Sequence, residues 1–509
     1  MPRLMDNAGD KGVGMESIVS VTGGKVRGTI QDGIGVFLGI PYAAPPVGPA
    51  RFEAPRPVAE WSGVRDASAL GPTCAQAEYP PPVHALFGSD RIPGAEYLNV
   101  NVWTPDPGGS GLPVMVWIHG GAFVRGANSK PIYDGAAFAR DGIVLVSINY
   151  RLGISGFAEI PGAPSNRGLL DQVFALRWVR DNVAAFGGDP DNVTLFGQSA
   201  GGLSTGLLAA SRTARGLFRR AIIQSGPSIV CAPDDAQLVA GEAAKILGIE
   251  PTTTAFGALE ADQLPPAQSA VALALMSDPD PRRWGETVIA NGLGVLSFFP
   301  VVDGELVEGR AVDVLAAHPD RTLPLLTGWT ADEFRFFTVP TGVAAGITDA
   351  NLPPLLSRYG VDPAVAEVYS ANRPGRPAAE VFNAIITDKA FRNDTVAAAE
   401  INAAAGQPTF VYEFAWPSGI DGIGACHVLE LPFVFDTLAV AHKFTGPNPP
   451  QRLADEMHAA WVEFAKHGDP GWAPFETGTR SVFTFEGPRS HLVDDPRADE
   501  LAALRGERG

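Results

Sequence analysis

The chain has 509 residues, 45% of them hydrophobic, and a formal net charge of −18. The length is sufficient for a large buried core, and the strong negative charge argues against nucleic-acid binding because phosphates would be repelled. No linker, charge run or repeat divides the chain. We therefore predict a disordered extension over residues 1–15 and a single domain with helical insertions over residues 16–509.

The amino-terminal segment lacks the apolar stretch of a signal peptide, and no apolar run approaches the roughly 18 residues of a membrane span. Cys74, Cys231 and Cys426 cannot all pair with one another, which fits a reducing compartment. The sequence therefore predicts a cytoplasmic protein without a membrane partner, either a monomer or a weak homo-oligomer.

The first strands show two kinds of pattern. Residues 19–39 alternate apolar and polar side chains around two glycine-containing turns, which is typical of antiparallel hairpins. Residues 97–103 also alternate. The near-continuous apolar runs 113–118 and 143–148 indicate strands that are buried on both faces.

A helix is predicted over 169–186, where apolar residues recur at three- and four-residue spacing and Gly187 ends the pattern. A short strand at 193–196 and a helix beginning near Ala200 follow. This order predicts an α/β fold with a large, mostly parallel, twisted sheet and helices on both faces, after a small antiparallel hairpin region. Residues 227–291 are helical but poorly patterned and indicate an insertion or lid.

Ser199 lies in Gly197-Gln198-Ser199-Ala200-Gly201, a G-x-S-x-G motif. In the nucleophile elbow of α/β-hydrolases the serine occupies a strained strand-to-helix turn, so its neighbours two positions away must be small. The Ala200 N–H, at a helix start, points towards a developing oxyanion. The alternative is a glycine-rich turn with a surface serine, but the strand before and the helix after favour the elbow.

A second motif, His119-Gly120-Gly121-Ala122-Phe123, follows the buried run 113–118. Such a loop supplies further backbone donors to an oxyanion in α/β-hydrolases. The alternative is a tight turn that packs a helix on the sheet.

A serine nucleophile needs a base and an orienting acid, and in this fold both follow the serine in the chain. His427 lies on a loop of small residues after the strand predicted at 409–414. The remaining histidines beyond Ser199 have polar or helical surroundings typical of surface positions: His318, His442, His458, His467 and His491.

The acid is expected where the predicted strand 325–328 ends, because α/β sites form at the carboxyl ends of strands. Asp332 and Glu333 both follow this strand. The residues themselves leave the choice between them open.

A series of longer blocks carries a family resemblance: FLGIPYAAPPVGPARFEAP, YLNVNVWTP, VWIHGGAF, NRGLLDQVFALRWVRDNVAAFGGDPDNVTLFGQSAGG, PVVDGELV and GACHVLELPF. With them the chain resembles the type B carboxylesterase/cholinesterase family of α/β-hydrolases over nearly its whole length. The resemblance implies Ser199 as nucleophile, Glu333 as acid and His427 as base. It also implies the oxyanion donors Gly121, Ala122 and Ala200, a supporting role for Ser225, the acyl-pocket residues Leu296 and Phe298, and the gorge residues Phe336 and Phe337. For these two aromatic residues, plain core packing is the alternative.

The chain departs from the family pattern at several positions. Gln198 replaces a common glutamate, and we expect its side chain to point away from the chemistry. Pro93-Gly94-Ala95 replaces an acidic pair and a cysteine, so we expect Cys74 to lack a disulfide partner, Arg51 to lack its carboxylate, and the intervening loop to differ in shape. Phe334 stands where many relatives have glycine and is expected to narrow the site.

The predicted activity is hydrolysis of small to medium, largely apolar carboxylic esters through an acyl-enzyme, with water as the second substrate. No cofactor or metal is expected, because no clustered ligand spacing occurs. The same triad also serves a carbamate or aryl-amide hydrolase. A non-catalytic, cholinesterase-like binding protein is disfavoured because all three triad positions are filled, and a long-chain lipase is disfavoured because 227–291 is not strongly apolar.

Overall fold

A computed structural model describes residues 16–89 and 91–507, so the extension predicted over 1–15 lies outside the described residues. Thirteen strands form one sheet. In chain order they are β1 (Glu16–Val21), β2 (Gly24–Gln31), β3 (Ile34–Pro41), β4 (Val64–Asp66), β5 (Asn99–Thr104), β6 (Leu112–Ile118), β7 (Val144–Ile148), β8 (Gly188–Gln198), β9 (Arg220–Gln224), β10 (Leu325–Thr330), β11 (Thr409–Phe414), β12 (Ser481–Phe485) and β13 (His491–Asp494).

The strand order is β1-β2-β3-β5-β7-β6-β8-β9-β10-β11-β12-β13, with β4 beside β2. From β7 to β12 every neighbouring pair is parallel. The antiparallel pairs lie at the two ends, where β1, β2, β3, β5 and β7 meet and where β13 follows β12. The structure thus confirms the predicted mostly parallel sheet and its amino-terminal hairpins.

The α-helices connect the strands or form insertions between them. They are α1 (Pro81–Phe87), α2 (Ala136–Arg140), α3 (Gly153–Phe157), α4 (Arg167–Asn182), α5 (Ala200–Ala210), α6 (Pro233–Leu247), α7 (Thr253–Gly257), α8 (Leu264–Ser277), α9 (Pro281–Trp284), α10 (Glu286–Gly292), α11 (Ala311–Ala317), α12 (Arg335–Thr338), α13 (Leu352–Arg358), α14 (Val365–Ala371), α15 (Ala378–Thr387), α16 (Asn393–Ala404), α17 (Leu431–Val434), α18 (Leu438–Thr445), α19 (Gln451–His467) and α20 (Ala498–Arg505). In the described part of the chain, no helix has both the length and the apolarity that a membrane crossing requires.

Helices cover both faces of the sheet, as the alternation along β6 shows. Val114, Val116 and Ile118 pack in one hydrophobic core with residues of α4 and α5. Met115 and Trp117 point the other way and pack in a second core with residues of α19. Since side chains of a strand alternate between faces, β6 is buried on both sides, and its near-continuous apolar run follows from this.

The helix predicted over 169–186 is observed as α4 followed by a 3₁₀ turn (Val183–Phe186). Gly187 ends it with φ 83°, a left-handed conformation that suits glycine. The segment predicted as a helical insertion, 227–291, contains α6 to α10.

The parallel centre of the sheet brings the carboxyl ends of four strands to one edge. Ile118, the last residue of β6, is paired with Gly197 near the end of β8. The last residues of β10 and β11, Thr330 and Phe414, are likewise paired. The loops that leave this edge carry the residues considered next.

Candidate active site

Ser199 occupies the turn between β8 and α5. Its backbone has φ 57° and ψ −122°, a sparsely populated conformation for a residue other than glycine. A Cβ at Gly201 would lie 2.0 Å from the Ile118 carbonyl oxygen, and a Cβ at Gly197 would lie 2.4 Å from the Gly201 oxygen. The two glycines therefore allow a turn that side chains would block, and the turn places Ser199 at the wall of a cavity.

His427 lies on the loop after β11 and lines the same cavity. Its Nδ1 contacts the Oε2 of Glu333, and the Oε1 of Glu333 accepts a hydrogen bond of 2.9 Å from the Thr330 N–H. Both side chains are buried. The carboxylate is thus fixed by the end of β10 and holds one nitrogen of the ring.

Asp332, the other candidate acid, faces away from the histidine. Its carboxylate pairs with Arg335 at 3.0 Å and accepts a hydrogen bond of 3.0 Å from the Ala425 N–H. These contacts tie the two loops together behind His427. Of the two carboxylates that the residues left open, Glu333 is the one that contacts the imidazole.

The three residues predicted to donate to an oxyanion, Gly121, Ala122 and Ala200, line the cavity together with Ser199. Gly121 and Ala122 have φ values of 119° and 56°, and Ala200 begins α5. Gly120 lies so close that a Cβ there would be 3.0 Å from the Ser199 Cβ. Among the described residues, no backbone carbonyl accepts from the N–H groups of Gly121, Ala122 or Ala200, so these donors are available to a ligand in the cavity.

His119 supports the loop that carries two of these donors. Its ring stacks on Tyr150 with centroids 4.5 Å apart, and its Nδ1 lies 2.8 Å from the Gly120 oxygen. Burial lowers the pKa of His119 to about 4. The ring is therefore neutral at physiological pH and shapes the loop without adding charge to it.

Gln198 corrects one expectation, because its side chain points into the site. The amide Nε2 lies 3.2 Å from Nε2 and 3.4 Å from Nδ1 of His427. The space for it exists because Gly120 has no side chain, since a Cβ there would lie 3.0 Å from the Gln198 Oε1. A neutral amide thus occupies the position beside the imidazole.

Three phenylalanine rings surround His427. The centroids of Phe336, Phe337 and Phe391 lie 6.1, 5.3 and 4.9 Å from the imidazole centroid. All three line the cavity, so Phe336 and Phe337 do more than fill the core. Phe391 was missed by the sequence analysis, because it lies on a π-helical turn (Asp388–Arg392) that apolar periodicity does not reveal.

A second glutamate, Glu430, is fully buried near Glu333 and was also missed. Its Oε1 accepts a hydrogen bond of 3.3 Å from Gln224 Nε2, and its Oε2 has no hydrogen-bond partner among the described residues. Burial, together with the negative charge of Glu333, raises the pKa of Glu430 to about 8. Glu430 is therefore predominantly protonated at neutral pH and adds no negative charge to the surroundings of Glu333.

The cavity has a volume of about 230 Å³ and a largely apolar wall. Leu296 and Phe334 line the cavity, whereas Phe298 does not. The chain bends at residues 297–298, which turns Phe298 into the core, where it is 2% exposed. The prediction of Phe298 as a pocket residue is therefore wrong.

Another wall of the cavity comes from the loop that was expected to differ in shape. Tyr79 and Phe87, at either end of α1, line the cavity together with two basic residues, Arg125 and Lys130. Lys130 Nζ lies 5.3 Å from the Tyr79 ring centroid and 5.4 Å from that of Phe87. These basic residues were not identified from the sequence, since neither belongs to a catalytic motif.

Other predicted positions differ in outcome. Cys74 is a free, buried thiol, and Arg51 donates a 2.8 Å hydrogen bond to the Leu259 carbonyl. Ser225 is buried with φ 46°, but its hydroxyl has no hydrogen-bond partner in the described part of the chain.

The prediction that His458 is a surface residue is wrong. The ring lies on the inner face of α19, 2.7 Å from the Val434 oxygen.

Comparisons with known proteins agree with this geometry. The model of the carboxylesterase family matches residues 15–486. The para-nitrobenzyl esterase of Bacillus subtilis (strain 168) is 36% identical over 509 residues, covering 97% of this chain and 99% of the relative. The phenmedipham hydrolase of Pseudarthrobacter oxydans is 36% identical over 520 residues, covering 96% and 99%. The fumonisin B1 esterase of Sphingopyxis macrogoltabida is 34% identical over 491 residues, covering 90% and 82%.

Solved structures show the same likeness. The carboxylesterase EST55 of Geobacillus stearothermophilus superposes with a TM-score of 0.83 at 35% identity, covering 96% of this chain and 99% of the other. A PNB esterase structure gives a TM-score of 0.82 at 32% identity, covering 96% and 99%. The architecture is therefore shared over almost the whole chain.

Proposed function

The chain belongs to the carboxylesterase family and is a carboxylesterase, and from this premise we propose that Ser199, His427 and Glu333 form its catalytic triad. The observation that carries the proposal is the contact between Glu333 and His427 in the wall of the cavity where Ser199 occupies its strained turn. A nucleophile and a base that line one cavity, with a carboxylate in contact with the base, support acyl transfer as the reaction.

The first half of the reaction forms an acyl-enzyme. The Ser199 oxygen attacks the ester carbonyl carbon while His427 removes its proton. The resulting oxyanion accepts hydrogen bonds from the N–H groups of Gly121, Ala122 and Ala200, each stabilising the transition state by about 3–4 kcal/mol. The bond to the alcohol oxygen then breaks, and His427 returns the proton to the departing alcohol.

The second half repeats these steps with water. His427 takes a proton from a water molecule as its oxygen attacks the acyl carbon, and then gives a proton to Ser199 as the acid departs. Glu333 stays ionised, fixes the imidazole tautomer and stabilises the imidazolium. The surrounding phenylalanines keep water away from the ring, which strengthens these electrostatic contacts.

The apolar wall of the cavity supports small to medium esters with largely apolar groups as substrates. Carbamates and aryl amides remain an alternative, because the same triad and donors serve a nitrogen-linked acyl group. The relatives are named for different substrates, among them a para-nitrobenzyl esterase and a phenmedipham hydrolase. A panel of aryl esters with lengthening acyl chains, aryl carbamates and anilides would rank these classes by kcat/KM.

The triad is tested first by Ser199→Ala, assayed with 4-nitrophenyl butyrate. We expect kcat to fall by about 10⁴-fold or more, because the attacking oxygen is lost. Thermal unfolding verifies that the variant folds, and Ser269→Ala, on α8 and outside the cavity wall, is the matched control. Turnover that is undiminished in Ser199→Ala would contradict the assignment.

A further inference from the structure

The charge of the cavity wall is opposite in sign to that of the whole chain. The chain carries a net charge of −18, yet the described residues that line the cavity include the basic side chains Arg125 and Lys130 and no carboxylate. A cavity of this kind disfavours cationic substrates and attracts anionic groups, because low-dielectric walls strengthen the interaction.

Contacts of the backbone and of the side chain hold Arg125 in place. Its backbone N–H donates a 3.0 Å hydrogen bond to the Gly121 oxygen, so the residue follows directly on the loop that carries two oxyanion donors. Its side-chain Nε donates 3.1 Å to the Ala77 oxygen, and its Cζ lies 5.5 Å from the Tyr79 ring centroid. Arg125 is thus held in the wall of the cavity that also contains Ser199 and His427.

The two terminal NH₂ groups of this guanidinium have no hydrogen-bond acceptor among the described residues. Of its five N–H donors, only the Nε–H has an acceptor among the described residues, and Glu78 is the carboxylate whose charge acts on the guanidinium. Burial lowers the pKa of Arg125, which expresses an unfavourable desolvation of its charge. An anionic ligand would offset that desolvation.

Three fully buried arginines of the chain have an ion pair or several carbonyl partners. Arg151 forms a 2.7 Å ion pair with Asp171, and Arg392 forms a 2.8 Å ion pair with Asp388. Arg167 donates to four backbone carbonyls. Half-buried Arg125 differs from these three arginines, since among the described residues only its Nε–H has an acceptor and the residue lines the cavity that contains Ser199 and His427.

We propose that Arg125 recognises a carboxylate on the substrate, separate from the ester that Ser199 attacks, so that the enzyme prefers carboxylate-bearing esters. The planar guanidinium fork matches a carboxylate, with two parallel N–H···O hydrogen bonds. The inference rests on the proposed function and narrows its substrate class. The carboxylate belongs either to the acyl half or to the alcohol half of the ester, and the experiment distinguishes the two.

The experiment compares charged and neutral substrates in two matched pairs. In one pair, 4-acetoxybenzoate and 4-methylphenyl acetate differ by a carboxylate in the alcohol half. In the other, mono-4-nitrophenyl adipate and 4-nitrophenyl hexanoate differ by a carboxylate in the acyl half. The readout is the ratio of kcat/KM for the charged substrate to that for the neutral one, so intrinsic reactivities cancel between enzyme variants.

Arg125→Met should lower this ratio by about tenfold or more in one of the two pairs, the change expected for a lost charge-assisted hydrogen-bonded pair. Arg125→Lys, which keeps the charge but not the fork, should give an intermediate ratio. Arg91→Met is the control, because Arg91 is exposed, pairs with Asp262 and does not line the cavity. Added salt should lower the wild-type ratio but not that of Arg125→Met.

A purely structural role for Arg125 gives a different result. If Arg125 only secures Ala77 and Tyr79, Arg125→Met will lower kcat/KM for charged and neutral esters alike in both pairs, and the inference is overturned. If Arg125→Met fails to fold, the kcat/KM ratio of Arg125→Lys and the salt dependence of the wild-type ratio test the inference in its place. Neutral-ester hydrolysis that depends on Ser199 would leave the proposed function intact, whereas its absence would count against the triad itself.

Discussion

At the residue scale, the chemistry depends on the neighbours of one imidazole. His427 contacts Glu333 on one side, lies 3.2 Å from the Gln198 amide on another, and is surrounded by phenylalanine rings. The amide is neutral, and protonated Glu430 is neutral as well. In the proposed mechanism, Glu333 is therefore the charged group that stabilises the imidazolium of His427.

Substitutions of the two adjacent carboxylates, Asp332 and Glu333, are expected to differ greatly in their effect on activity. Glu333→Gln removes the charge that contacts His427, so we expect kcat/KM for a neutral aryl ester to fall by about 10³–10⁴-fold. Asp332→Asn alters only the contacts to Arg335 and Ala425, and we expect activity within about tenfold of wild type. The reverse ranking in steady-state kinetics would assign the acid to Asp332.

The raised pKa of Glu430 predicts that the stability of the folded protein depends on pH. The folded chain keeps this proton up to about pH 8, whereas an unperturbed carboxyl releases it near 4.5. Between these values the folded state binds more protons than the unfolded state, so stability falls as pH rises and levels off above about pH 8. Glu430→Gln removes this titration, and its stability relative to wild type should increase from about pH 5 to about pH 9.

Urea unfolding of both proteins at the two pH values measures this difference. The matched substitution at an exposed position, Glu305→Gln, is the control. A Glu430→Gln effect that is the same at both pH values would show that Glu430 is ionised throughout.

At the element scale, the junction between β8 and α5 determines where the proposed nucleophile, Ser199, lies. The turn is compact because Gly197 and Gly201 let the chain pass against the end of β6. The resulting φ of 57° at Ser199 is a local strain that the surrounding packing maintains. The same closeness brings the Gly120–Ala122 loop, which also follows β6, to the serine.

Gly201→Ala tests this junction. The added methyl group would lie 2.0 Å from the Ile118 oxygen, so we expect a loss of about 1–3 kcal/mol of stability, as for other overpacked sites, and a marked loss of kcat. Gly241→Ala is the matched control, since nothing lies within 4 Å of its added Cβ. Within α6, that change should raise stability by about 0.5–1 kcal/mol. Equal effects at both glycines in urea unfolding and ester hydrolysis would show that the junction tolerates a side chain.

At the scale of the whole molecule, the parallel sheet assembles the site from distant segments. The loop proposed to bind the oxyanion follows β6, Ser199 follows β8, Glu333 follows β10 and His427 follows β11. Because these strands are parallel, their carboxyl ends share one edge, and residues far apart in sequence meet there. Both faces of the sheet are covered by helices, which gives the edge a rigid base.

The sequence by itself determined the family, the type of sheet and the motifs around Ser199, because local patterns encode them. Near-continuous apolar runs indicate strands that are buried on both faces, and the small residues around Ser199 indicate a tight turn. The residues alone left Asp332 and Glu333 open, since adjacent positions share the same local signals. Only the tertiary structure brings Glu333 to His427 and turns Asp332 towards Arg335.

The tertiary structure also decided the surroundings of Ser199. It turns the Gln198 amide towards His427, buries Phe298, and places Phe391 and Arg125 in the cavity wall. These outcomes depend on where side chains from separate elements meet. They also depend on bends of the backbone that the periodicity of apolar residues in the sequence does not reveal. A motif specifies which atoms react, whereas the contacts that select a substrate arise only when distant segments pack together.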